Sequence, residues 1–422
     1  MMFNRNDRGG GCLLFIIDWI FSIFRNRRIT KHNNQARGVE EYQSISIDVL
    51  FPSSTYKDNV VISGGGQGER LLVCEKLLSN AYNARHPVII LHTANGMMEN
   101  IIARNGFGIV VSSRNKVFDA FTSFDFNDIV QTVTDTCKSK YDIKPAGRYV
   151  LQVAYEMLIN RGRRPYFSGF ANCPYFRLSD QIASRLSSGA ITQSDADRLN
   201  SLLMTGQVEC PKIDTFFNDM KSQIDHLLAP DPYSINAISV LSAIQNNQIL
   251  CIDMRSSANA MLMELIVNSL IIAMNRGYDF TLMIDDVAFV NNDMLKNTIC
   301  QKANHQNIIV SKDIYALTGG KEDVFAAIIG EAEKTVLFGH SSNISCDKLS
   351  KYIGEYEKID VAYNRNSGWF QSSRWGFTTH GGQTETLKRE SKVKPEQINR
   401  LSQNEAVIYD HTTGSLIQTV IT

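Results

Sequence analysis

The chain has 422 residues, and its 43 lysines and arginines balance 43 aspartates and glutamates, so the formal net charge is zero. Its length suits two or three domains with a sizeable core. With 43% hydrophobic residues and only nine prolines, the composition excludes a disordered chain, and it offers no bulk-charge argument for nucleic acid.

The N-terminal stretch "CLLFIIDWIFSIF" spans residues 12–24 and is followed by "RNRR" at 25–28. Thirteen helical residues rise only about 20 Å, short of the ~30 Å hydrocarbon core. Asp18 in the middle further disfavours spanning. The basic cluster follows the apolar run, unlike a secretory signal. An interfacial helix with Trp19 in the lipid boundary and arginines at the headgroups fits the pattern; a helix docked on a partner protein is the alternative. Residues 29–46 are polar and read as a linker.

From residue 47 short apolar runs alternate with helical segments. "IDVLF" (47–51), "NVVIS" (59–63), "PVIILHT" (87–93) and "GIVVSS" (108–113) read as strands. Such alternation predicts a mostly parallel α/β sheet covered by helices. Between 127 and 230 the strand signal disappears, and successive segments carry helical spacing with Gly or Pro stops. This block reads as an all-helical insertion. Strands return at "QILCIDM" (248–254), "FTLMIDDVAF" (280–289), "NIIVS" (307–311) and "KTVLFG" (334–339), with a long helix at 258–277. "EAVIYD" and "SLIQTVIT" flank "HTTG" as a terminal hairpin. The domains read as 1–46, 47–126 with 231–422, and 127–230.

Eight cysteines lie scattered with no CxxC pair, several within apolar runs, which points to reduced core thiols. No HExxH or Cys/His cluster signals zinc.

Two motifs carry chemistry. The run Ser63-Gly64-Gly65-Gly66-Gln67-Gly68-Glu69-Arg70 joins a strand to a helix, in the layout of a phosphate-binding loop. Such a loop turns backbone N–H groups and a helix N-terminus toward phosphate. Ser63 stands at the first glycine, Glu69 at the lysine and Arg70 at the magnesium-binding hydroxyl. Arg70 is a candidate replacement cation. The second motif is "TLMIDDVAF", a strand ending in paired acids. Asp285 is the candidate metal ligand and Asp286 the candidate water-orienting carboxylate. A helix cap or turn is the plainer reading of the paired acids alone, and a glycine-rich strand–helix turn has many structural uses.

The order of these parts resembles the coupling-protein ATPases of type IV secretion and conjugation, the TraD/TraG group, related to the HerA/FtsK translocases. "NIIVSKDIYALTGG" (307–320) is similar to that family's sensor segment. "VFAAIIGEAEKTVLFGHSSNISCDKLSKYIGEYE" (324–357) and "KVKPEQINRLSQNEAVIYD" (392–410) are similar to its later segments. The resemblance implies a RecA-like P-loop NTPase core with an all-helical insertion and an N-terminal membrane anchor at the inner face of a bacterial membrane. It implies ATP and Mg2+ as cofactors, the secretion or conjugation machinery as partner, DNA or protein as substrate, and a homo- or hetero-oligomeric ring. Arg276 and Arg255 are candidates for the arginine that completes a neighbour's site, with a helix C-terminal cation as the plainer role. Trp369, Phe370, Trp375 and Phe377 around Arg374 are candidate base-stacking residues, against a partner-binding or packing role.

The departures from that family point one way. Glu69 replaces the lysine, Arg70 the hydroxyl, Asp286 the usual glutamate, and Lys312 stands where the sensor glutamine aligns. Loss of charge stabilisation at even one such position costs about 10²–10³ in rate. The expected function is a coupling-protein-like subunit with a weak or inactive ATPase site that recruits or guides substrate. An active ATP-driven translocase using Arg70 is the first rival. A scaffold in defence or phage biology that reuses the fold is the second.

Overall fold

The structure is a computed structural model. It describes residues 10–93, 95–159, 166–230, 236–255, 260–288, 293–300, 305–365 and 381–422. The aromatic group at 367–377 lies outside the described residues. In chain order the strands are β1 (Val39–Glu41), β2 (Val60–Ser63), β3 (Val88–His92), β4 (Gly108–Val111), β5 (Ile249–Asp253), β6 (Phe280–Asp285), β7 (His305–Ser311), β8 (Lys334–Leu337), β9 (Glu355–Arg365), β10 (Gly381–Ser391), β11 (Glu405–Asp410) and β12 (Ser415–Val420). The chain forms two compact units, one from Ile45–Leu337 with Thr422, the other from Met1–Ser44 and Phe338–Ile421.

In the larger unit the strands run in the order β8-β2-β7-β6-β3-β5-β4, and every pairing is parallel. β2, β3, β5 and β6 are buried along their whole length. Burial on both faces explains their continuous apolar runs, because helices cover a parallel sheet on each side. The α/β class and mostly parallel sheet expected from the sequence are thus observed. Parallel register brings all the strand C-termini to one edge. There Ser63 pairs with Ser311, and His92 stands abreast of both Asp285 and Asp253.

Between β4 and β5 the named elements are helical, including Phe126–Asp135, Gly147–Ile159, Leu178–Ser187, Gln193–Gly206 and Cys210–Ile224. Phe121, Phe167, Phe170, Tyr175 and Phe217 form an aromatic core, with ring centroids 5.5–6.2 Å apart. Two helices approach closely at Gly206, where a Cβ would come within 2.6 Å of the Ala146 carbonyl.

The smaller unit begins with a 28-residue helix, Gly10–Arg37. β1 runs parallel to β12, and β12 antiparallel to β11, which forms the expected terminal hairpin. β9 and β10 make a separate antiparallel ribbon, in register from Glu355↔Ser391 to Arg365↔Gly381. The Asn33 amide clasps this ribbon, donating to the Ile359 carbonyl at 3.0 Å and accepting the Ile359 N–H at 2.9 Å.

Two local expectations are corrected. "IDVLF" is a short helix, Ile47–Leu50, because the Ser46 side chain caps it by accepting the Asp48 N–H. The polar segment 29–46 is helical through Arg37 and then supplies β1. The sequence does not signal the β9–β10 ribbon: residues 358–361 of β9 are half-buried and residues 385–389 of β10 are exposed, so neither strand shows a fully buried run. Cys74, Cys210, Cys251 and Cys346 are buried thiols outside any disulfide, in line with the expectation of reduced core cysteines.

Candidate functional site

β2 delivers Ser63 to the C-terminal edge, and the chain turns through Gly64 and Gly65 into the helix Gln67–Asn83. The two glycines have φ of 90° and 64°, a region that glycine enters without steric cost. Gly64 extends the ladder by donating its N–H to Ser311 O at 3.1 Å. The buried Ser63 hydroxyl accepts the Ile314 N–H at 3.1 Å. It thereby holds the start of the turn after β7, a bond glycine could not make.

Glu69 lies in the first turn of the loop helix, and its carboxylate accepts the Gly66 N–H at 2.5 Å. A carboxylate here satisfies an orphan donor and suits the helix dipole. A Cβ at Gly66 would lie 3.3 Å from that carboxylate, whereas one at Gly68 would meet nothing within 4 Å.

Arg70 is 6% exposed. Its guanidinium has turned beneath the loop, where Nη1 donates to Gly64 O at 3.0 Å and Gly65 O at 2.8 Å. Nη2 faces Asp286 Oδ2 at 3.5 Å. Asp286 has φ 52°, and its carboxylate accepts the Ser311 hydroxyl at 2.8 Å and the Lys312 N–H at 3.1 Å. Lys312 therefore enters the site through its backbone; the residue itself is exposed. Arg70, Asp286, Ser311 and the Lys312 N–H form one bonded group with the Gly64 and Gly65 carbonyls, while Ser63 and Glu69 bond beside it to Ile314 and Gly66.

Asp285 is 3% exposed at the end of β6 and accepts the Asn95 amide. Burial pushes its carboxyl up to about 6, and the Asp286 charge adds to this, against the Asn95 bond and Arg70. Asn95 caps the helix Gly96–Asn105, and its Oδ1 accepts both Gln67 Nε2 at 2.6 Å and the Met98 N–H at 3.1 Å. The chain Gln67–Asn95–Asp285 so ties the loop to the acidic strand. His92 is fully buried; its Nδ1 accepts the Asn95 N–H at 3.0 Å, and burial lowers its basicity. Glu99 lies 3.7 Å from His92 Nε2.

Asn95, His92 and Glu99 were not singled out from the sequence. The available signal was a histidine ending a buried strand and an asparagine placed to cap the next helix. Arg276 sits elsewhere, bonded to Asp125 and Asp128 at 3.0 and 2.5 Å, at the N-terminus of the helix Phe126–Asp135. Arg255 donates its backbone N–H to Asp253 at 2.8 Å. Among the described residues no group of three or more His, Cys, Asp or Glu side chains is placed to hold a metal ion.

No family model matches the sequence, and no curated protein sequence matches it. Solved structures do. The unbound form of the bacterial conjugative coupling protein TrwBdeltaN70 aligns with a TM-score of 0.53 and 14% identity, over 90% of this chain and 88% of that one. The plasmid coupling protein TrwB in complex with ADP and Mg2+ aligns at 0.52 and 13%, over 93% and 92%. The chain has the TrwB fold. TrwB has also been solved with the ATP analogue ADPNP, at a TM-score of 0.51 and 12% identity over 93% and 92%. At these identities the TrwB likeness is one of architecture, and the loop and the acidic strand must be read from this chain's own side chains.

Proposed function

We propose that the protein is a coupling-protein-like component of a type IV secretion or conjugative DNA-transfer machine, with a nucleotide loop closed on itself. It recruits or guides substrate and hydrolyses ATP slowly or not at all. The TrwB fold and the order of parts along the chain support the first half of this reading. The position of Arg70 carries the second half. Its guanidinium is bonded to the carbonyls of Gly64 and Gly65, so the loop's one replacement cation is directed away from a phosphate. Glu69 meanwhile holds the Gly66 N–H and adds negative charge where phosphate would need positive. The side chains present therefore do not fit a magnesium–triphosphate. Calorimetry of the full chain with Mg-ATP tests the reading. No binding up to millimolar nucleotide is expected. Micromolar binding that disappears in Arg70→Ala would overturn the proposal in favour of an active translocase with Arg70 as its phosphate contact.

We also propose that the N-terminal helix lies on an anionic membrane surface. Among the described residues no helix is long and apolar enough to cross a membrane. Ile20 and Phe24 are exposed one turn apart, at 40% and 64%, and Arg25, Arg27 and Arg28 beside them are exposed. Apolar side chains with adjoining cations suit the lipid interface. The full chain is expected to co-sediment with phosphatidylserine-containing vesicles and to be released by salt. Arg27→Ala should weaken binding about fivefold, since one cation near such a surface contributes about 1 kcal/mol. Equal binding to neutral vesicles, insensitive to salt, would refute it.

A further inference from the structure

The ribbon of β9 and β10 has two edges, and they are treated differently. A strand edge presents unpaired N–H and C=O groups, and proteins commonly blunt it with a cover, a bulge, a proline or a short length. Along β9 the helix Gly10–Arg37 supplies a cover: the Asn33 amide takes both the N–H and the carbonyl of Ile359. β10 is a long strand without proline, and its register with β9 runs without a bulge. It is exposed from Glu385 to Arg389, and Leu387 is 68% exposed.

The Asn33 bonds also fix which groups of β10 face outward. Directly opposed residues of an antiparallel pair exchange both hydrogen bonds or neither. Ile359 commits both of its backbone groups to Asn33, and its partner across the ribbon is Leu387. Leu387 therefore turns its N–H and C=O to the outer edge. By the alternation of the ladder, Glu385 and Arg389 do the same. The side chains of these three residues share one face of the ribbon. On the other face the charges are matched within the chain: Lys388 holds Asp360 at 2.6 Å, and Lys358 and Lys394 hold Glu390. On the Leu387 face they are not. Arg389 stands opposite Glu357 but makes no ion pair among the described residues. Glu385 has only a loose one, to Arg25 at 3.9 Å, with both side chains close to half exposed.

We propose that the outer edge of β10 docks a second copy of this chain, paired antiparallel about a two-fold axis at Leu387. In that register Leu387 meets its own counterpart, and Glu385 of each copy meets Arg389 of the other. All three residues point their N–H and C=O outward, so each pair exchanges both hydrogen bonds. An axis at Glu385 or Arg389 would oppose like charges, and one at Thr386 or Lys388 would forfeit both ion pairs. The charges thus select one register. A self-complementary patch of this kind suits an isologous dimer. Sedimentation equilibrium of the full chain tests the proposal. A monomer–dimer equilibrium is expected, with a dissociation constant on the order of tens of micromolar, as suits a small interface. Glu385→Arg and Arg389→Glu should each weaken it roughly thirtyfold, because both symmetry-related pairs become repulsive. An equimolar mixture of the two variants should dimerise again, because each chain then meets the opposite charge at both positions. Both side chains are exposed, so the variants keep the fold. A wild-type chain that stays monomeric at several hundred micromolar, an assembly indifferent to both variants, or a mixture that remains monomeric would each overturn the proposal.

Discussion

Arg70→Ala is expected to destabilise the larger unit by roughly 3 kcal/mol, because it strips partners from two carbonyls at the base of the loop. Arg70 is 6% exposed and donates to Gly64 O and Gly65 O at 3.0 and 2.8 Å. Without it these carbonyls face inward unpaired, and Asp286 loses its nearby cation. Arg70→Lys should recover only part of the loss, since one ammonium cannot reproduce the guanidinium's fork across two acceptors and a carboxylate. Urea unfolding of the three proteins at pH 7 measures this. If Arg70→Ala unfolds at the wild-type midpoint with an unchanged slope, the guanidinium is not holding the loop, and the argument for a self-closed site falls with it.

The second large effect is a pH-dependent one at Asp285. Its carboxyl is raised from an ordinary 3.8 to about 6, chiefly by burial. A folded-state value above the unfolded one means that folding favours the protonated form. The favourable contribution is complete below about pH 4 and is lost as pH rises through about 6. A difference of that size between folded and unfolded chain corresponds to about 3 kcal/mol. Asp285→Asn removes the titration while keeping an oxygen for the Asn95 amide. The variant should therefore match the wild type near pH 4 and exceed it by about 3 kcal/mol at pH 7. Asp119 shares the sign, also raised to about 6 by burial against the N–H groups of Phe121 and Phe167. It is present in both proteins and cancels in the comparison. A constant difference across pH 4–7 would show that Asp285 is ionised throughout and that another group bears the strain. Such a raised acid would be relieved by a cation beside it, so the same experiment in millimolar magnesium reports whether a metal lowers the penalty.

What could be read from the sequence was whatever depends on local pattern. Buried runs such as "VVIS", "PVIILH" and "TLMID" announce strands of a two-sided parallel sheet, because burial on both faces makes most side chains along them apolar. The glycines at 64 and 65 announce a tight turn, since both take positive φ. The pattern misled where side chains bond to the backbone: Ser46 turned an apolar run into a helix. It was silent where strands carry no fully buried run, as in β9 and β10.

The identity of the loop substitutions, and so the suspicion that phosphate is poorly served, came from the sequence by itself. The direction in which Arg70 points did not. A guanidinium at the end of a flexible side chain can reach a phosphate or the carbonyls below it. Only the tertiary structure decides, by placing Asp286 and the loop carbonyls within its reach. The same holds for Asp285, whose partner Asn95 is 190 residues distant in sequence. Spacing along the chain carries no information about such a pair. Parallel register does, because it brings the ends of β3, β5 and β6 to one edge and sets their polar residues side by side.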